Sequence, residues 1–159
     1  MKSTQSVQDQ IVAAAGQQAP QPLTAETPRG KLAIDVVAQG TVGLSFRRLT
    51  YSSSSLESLS MSDLQEACRQ LAERLNYLLE PIRVIEADES QQAVQLRSDP
   101  PSKEKDSINY FELLAQRGGH LQLVRYRKTS QQSRETIASN VTFEVLERLA
   151  NDFDELGVP

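Results

Sequence analysis

Cysteine and histidine each occur once in the 159 residues, as Cys68 and His120. A lone thiol excludes an intrachain disulfide and a cysteine-rich zinc site. Any mechanism that uses imidazole must use His120. No stretch approaches the roughly 18 apolar residues of a membrane-spanning helix. The start, Met1-Lys2-Ser3-Thr4-Gln5, lacks the apolar run of a signal peptide, so a cytoplasmic protein is expected. Phosphate-cradling motifs are missing: the glycines at 40, 43, 118 and 119 match neither a P-loop nor a dinucleotide pattern. There is no G-x-S-x-G elbow, H-E-x-x-H pair or C-x-x-C, and no cofactor or metal is expected. Apolar residues reach only 38%, a deficit that a loose segment would explain. A net charge of -4 and a pI near 5.1 speak against a domain dominated by non-specific nucleic-acid binding, but leave room for a local basic patch.

What is there begins with Ile108 to Lys128, which reads as one β-hairpin folded at Gly118-Gly119. A Gly-Gly pair suits a two-residue type I′ turn. Counting outwards sets Arg117 against His120, Phe111 on Tyr126 and Leu113 on Val124. The other face then pairs Leu114 with Leu123, Glu112 with Arg125 and Tyr110 with Arg127. Upstream, Lys31 to Tyr51 reads as two strands turning at Gln39-Gly40, with Val42, Leu44 and Phe46 alternating. Ser52 to Ser55 reads as a polar loop. Ser62 to Glu80 reads as a helix, with Ser62 and Gln65 as capping box and Leu64, Cys68, Leu71, Leu75, Leu78 and Leu79 as its apolar stripe. Pro81 stops it. Ile82 to Ile85 and Ala93 to Ser98 form a second strand pair around Asp88-Glu89-Ser90. Asp99 to Ser107 and Thr129 to Ser139 read as connections. A last helix runs from Thr142 to Leu156, with Gly157 at its C-terminal cap and Phe143, Leu146, Leu149, Ala150 and Phe153 inward. Val141 is placed to staple onto Leu146.

Residues 1 to 30, with Pro20, Pro22 and Pro28, read as a disordered tail. Val7, Ile11 and Ala14 sit at the spacing of a short helix, which needs something to dock on. Residues 31–157 then make a single α+β domain of order β-β-α-β-β-β-β-α. It is an antiparallel sheet of about six strands with two helices packed on one face.

No residue set converges on chemistry. His120 reads as a polar residue at a hairpin tip, and Cys68 as core packing. Glu86, Asp88 and Glu89 lack calcium-loop spacing. Asp152, Asp154 and Glu155 crowd the end of the last helix against its dipole, as solvated charge or a surface for a basic partner. Arg47-Arg48 and Arg125, Arg127 and Lys128 would form a basic stripe beside Tyr51, Tyr110 and Tyr126 if their strands were neighbours. The feature ranked first is a second apolar face on the sheet, which asks for a cover. Its partner surface is Leu114, Leu121, Leu123, Tyr110, Arg125 and Arg127. The leading expectation is a non-catalytic, chaperone-like interaction module that binds another protein or a second copy of itself. Small acidic secretion chaperones share its bulk properties, with no motif in common. A nucleic-acid-binding module using the arginine stripe comes next, and a small enzyme third.

Overall fold

The computed structural model describes residues 5–15, 22–156 and 158. In chain order its elements are α1 (Val7–Ala15), β1 (Leu23–Glu26), β2 (Lys31–Gln39), β3 (Gly43–Ser52), α2 (Ser54–Glu57) and α3 (Met61–Arg74). There follow β4 (Ile82–Asp88), β5 (Ala93–Ser98), β6 (Ser102–Lys103), β7 (Ser107–Gln116) and β8 (His120–Thr129). β9 (Glu135–Ile137), β10 (Ser139–Thr142) and α4 (Phe143–Asp154) complete the chain. The class is α+β, as the pattern implied, but ten strands and four helices exceed the expected six and two among the described residues.

All strands join one antiparallel sheet whose main path runs β1-β2-β3-β8-β7-β5-β4. β3 and β8 pair only between Arg48–Ser52 and His120–Val124. Beyond that they diverge, and the wedge is filled by β10 on β3 and β9 on β8. The expected connection from Thr129 to Ser139 therefore contains strand, because open edges inside a sheet demand partners for their N–H and C=O groups. Leu32, Ile34, Leu49, Tyr51, Leu121, Leu123, Phe111, Leu113 and Leu96 face one way. They share a single core with Val7 and Ile11 of α1, Leu56 of α2, Leu64, Cys68 and Leu71 of α3, and the inward face of α4. The described helices thus cover one face of the sheet, and none of them lies on the other.

The β7–β8 hairpin forms, but one residue out of the expected register. Gln116 pairs with His120, so the loop holds three residues, Arg117, Gly118 and Gly119. Gly119 N–H donates to Gln116 O at 3.0 Å, and of the three loop residues only Gly119 has a positive φ, at 103°. A type I turn closed by a left-handed glycine satisfies the hairpin as well as a two-residue turn does. A shift of one residue moves one strand's side chains to the opposite face relative to the other. Leu121, Leu123 and Arg125 therefore join Phe111 and Leu113 on the core side, while Tyr110 pairs with Tyr126, and Glu112 with Val124.

Other boundaries move for local reasons. The long helix is capped by Ser60, whose Oγ accepts from Asp63 N at 3.1 Å, and it ends at Arg74 instead of Glu80. The last six expected helical residues instead carry Glu80 to the sheet. Ser53 caps the short α2 where a loop was expected, and β6 interrupts the segment from Asp99 to Ser107. At the N-terminus, α1 docks Val7 and Ile11 into the core, and β1 pairs with β2. The Gln10 side chain donates to Glu26 O and accepts from Glu26 N, occupying the free edge of β1 as a strand would. Two segments of the expected tail are therefore ordered, while Pro20 lies outside the described residues. At the other end Thr142 caps α4 as expected, its Oγ1 accepting from Val145 N at 3.1 Å, and Gly157 lies outside the described residues.

Candidate functional site

Of the six residues proposed as a partner surface, Leu121 and Leu123 are fully buried in the core. Arg125 is buried too, on the same side, with its guanidinium 4.5 Å from the Phe111 ring centroid. It makes a two-pronged ion pair with the buried Glu80, Nη1 to Oε1 at 2.9 Å and Nη2 to Oε2 at 3.0 Å. Ser98 Oγ donates to Oε1 and Ser102 Oγ to Oε2, both at 2.7 Å, so each carboxylate oxygen accepts twice. Burial alone would push the Glu80 carboxyl up. The bonds from Arg125, Ser98 and Ser102 outweigh it and hold the carboxyl below the usual range. With both carboxylate oxygens filled, the pair reads as structural. Arg127 is half-buried, and its Nε donates to Asn109 Oδ1 at 3.3 Å.

Tyr110 and Leu114 do stand on the open face, but that face is not an apolar one. Glu112, Gln122, Gln95 and Arg97 lie among them. Tyr110 and Tyr126 pack at 5.8 Å between ring centroids, with Arg97 5.5 Å from the Tyr110 ring and Arg134 3.9 Å from the Tyr126 ring. Arg134 also pairs with Glu112, which accepts in turn from Gln95. Sequence reading passed over Arg134 because it comes from the connection after β8, and only the fold brings it back over the sheet. The strands of the supposed basic stripe, β3 and β8, are indeed neighbours. Arg47 has no partner on β2, since Asp35 opposes Arg48 and Val36 opposes Phe46. That bulge exposes both arginines while Phe46 and Leu49 stay in the core. Tyr51, however, is core.

The acidic end of α4 has an internal use. Asp154 Oδ1 accepts from Tyr51 Oη at 2.6 Å and Thr27 Oγ1 at 2.7 Å, and Asp152 Oδ2 accepts from Tyr77 Oη at 2.6 Å. Burial and the bond to Asp154 push the Tyr51 hydroxyl well up. His120 is exposed at the start of β8, and burial pushes the Cys68 thiol up to about 12. Among the described residues no three His, Cys, Asp or Glu side chains are grouped to hold a metal.

The exposed apolar side chains lie elsewhere, and the densest set borders one sheet edge. β4 ends the main path and pairs only with β5 among the described residues. Its Val84 and Ile85 are 37% and 40% exposed, and Leu79, on the connection leading into it, is 76% exposed. Beside Leu79, the residues Ala72, Leu75, Leu78, Pro81 and Ile82 line a groove of about 450 Å³. No local pattern marked this strip, because which strand ends up at an edge depends on the order of the whole sheet. Comparison with known proteins adds no likeness here: the chain matches no protein-family model, no curated protein and no solved structure. No described helix is long and apolar enough to cross a membrane.

Proposed function

We propose that this protein is a non-catalytic interaction module that docks a protein partner along the β4 edge. The observation that carries the reading is the coincidence of a sheet edge that meets no second strand among the described residues with the exposed Leu79, Val84 and Ile85. An edge strand offers main-chain donors and acceptors to an added strand, and flanking apolar side chains supply contact area. The open face suits docking less well, because its centre is already filled by its own ion pair and stacked rings. The same filling weighs against a nucleic-acid module: Arg97 and Arg134 occupy the ring faces on which bases would stack.

A photo-crosslinking residue placed at Ile85, in cells that express the protein, tests the reading. Protein adducts are expected from Ile85 and not from the control site Val42, which is as apolar and 75% exposed but lies on the β2–β3 turn. No adduct from Ile85, or equal adducts from both sites, overturns it.

A further inference from the structure

The docking reading leaves the occupant of the β4 edge unnamed, and β4 itself narrows it. Resting on that reading, we propose that the occupant is a second copy of this chain, joined β4 to β4 in antiparallel fashion about a two-fold axis between Val84 and Ile85.

The first observation is the direction of charge along the strand. Arg83 stands near its start, and Glu86 and Asp88 stand near its end. A parallel copy would set like charges side by side, whereas an antiparallel copy sets basic against acidic. The second observation is the bulge. Arg83 pairs with Arg97 and Glu86 with Gln95, so Ile85 has no partner on β5. Arg97 and Gln95 are two residues apart and share a face of β5. Arg83 and Glu86, although three apart, therefore share the open face of the sheet. Ile82 and Ala87, opposite Ser98 and Val94, share the helix-covered face.

One register uses both facts. With Val84 of one copy against Ile85 of the other, Arg83 meets Glu86 twice on the open face, and Ile82 meets Ala87 twice on the covered face. The extra residue that breaks the β4–β5 ladder breaks nothing here, because each copy carries it at the axis. The two sheets become one, with the helices of both copies on the same side. Val84 and Ile85 leave solvent where the copies cross. A bulge and exposed charges are also devices that keep an edge unpaired, and the two roles separate in solution.

Light scattering across a concentration series up to about 1 mM reads the outcome, that being the range where even weak pairing registers. The wild-type chain is expected to approach twice the 17.7 kDa of one copy. Arg83→Glu alone, or Glu86→Arg alone, turns both contacts into like-charge pairs and is expected to weaken dimerisation on the order of tenfold or more. Mixing the two single variants regenerates two opposite-charge contacts per pair, so a one-to-one heterodimer is expected, and the doubly reversed variant is expected to pair with itself. Both side chains are exposed, and an unchanged circular dichroism spectrum serves as the folding control. A wild-type chain that stays at 17.7 kDa throughout overturns the second copy as occupant. In that case adducts from Ile85 to other proteins would leave the docking reading standing. A dimer indifferent to both reversals overturns the β4 register.

Discussion

A carboxylate and a guanidinium withdrawn from water stabilise a fold only while they remain together. Glu80 and Arg125 are both nearly inaccessible, and each oxygen of Glu80 is doubly bonded to donors. Removing one partner strands the other charge, which typically costs about 3–5 kcal/mol, whereas replacing both with apolar groups of similar volume is often neutral. Arg125→Met is therefore expected to lower the urea-unfolding free energy by about 3 kcal/mol or more at pH 7, and Glu80→Leu with Arg125→Met by clearly less than that single change. The pH dependence has a definite sign. The folded Glu80 carboxyl lies below its unfolded value, so its contribution is complete above the ordinary glutamate range near about 4.3 and fades as pH falls through the folded value. The gap between wild type and Arg125→Met should narrow between pH 6 and pH 3. A gap that stays constant would mean that Glu80 does not carry the linkage.

At the scale of elements, the β7–β8 turn separates two glycines that look alike in the sequence. A Cβ at Gly118 would meet nothing within 4 Å, and its φ does not require glycine. A Cβ at Gly119 would fall 2.6 Å from Glu57 Cγ and 3.3 Å from Ser53 O, on a backbone with φ of 103°. Gly119→Ala is expected to cost about 1–3 kcal/mol and Gly118→Ala to stay within about 0.5 kcal/mol of wild type, read from thermal or urea midpoints. Equal costs would restore the two-residue turn. The same turn shows where legibility stops. Period-two alternation, apolar residues at helical spacing and the Thr142 cap disclosed the main strands and helices in the right order, since those signals are local, although the long helix is capped by Ser60 and not by Ser62. A two-residue and a three-residue glycine loop differ by one count that no flanking residue reports. That single count sent Leu121, Leu123 and Arg125 into the core instead of onto a partner surface. The helix end at Arg74 was equally hidden, because Leu78 and Leu79 continue its stripe and only the distant Arg125 explains why Glu80 leaves it.

At the scale of the whole molecule, what escaped the sequence is mostly what non-local pairing decides: the edge position of β4, the wedge of β9 and β10, and Asp154 as internal acceptor. The N-terminal segment is the sharpest case. Its Gln-, Ala- and Pro-rich composition reads as tail, and a nine-residue helix has little stability by itself in water. α1 persists in the fold through tertiary contacts: Val7 and Ile11 in the core, Gln8 N–H donating to Glu147 at 2.9 Å, and Gln10 bridging to β1. Such a unit sits at the periphery of the cooperative structure, so weakening it should undock it before the sheet opens. Ile11→Ala, at a fully buried position, removes about 2–4 kcal/mol of packing, more than a helix of this length can hold in reserve. Amide exchange in α1 and β1 is then expected to accelerate on the order of thirtyfold or more, while protection in β7 and β8 changes little. Uniform acceleration across the sheet would show instead that α1 is integral to global unfolding, and that the segment resembling a tail is part of the cooperative core.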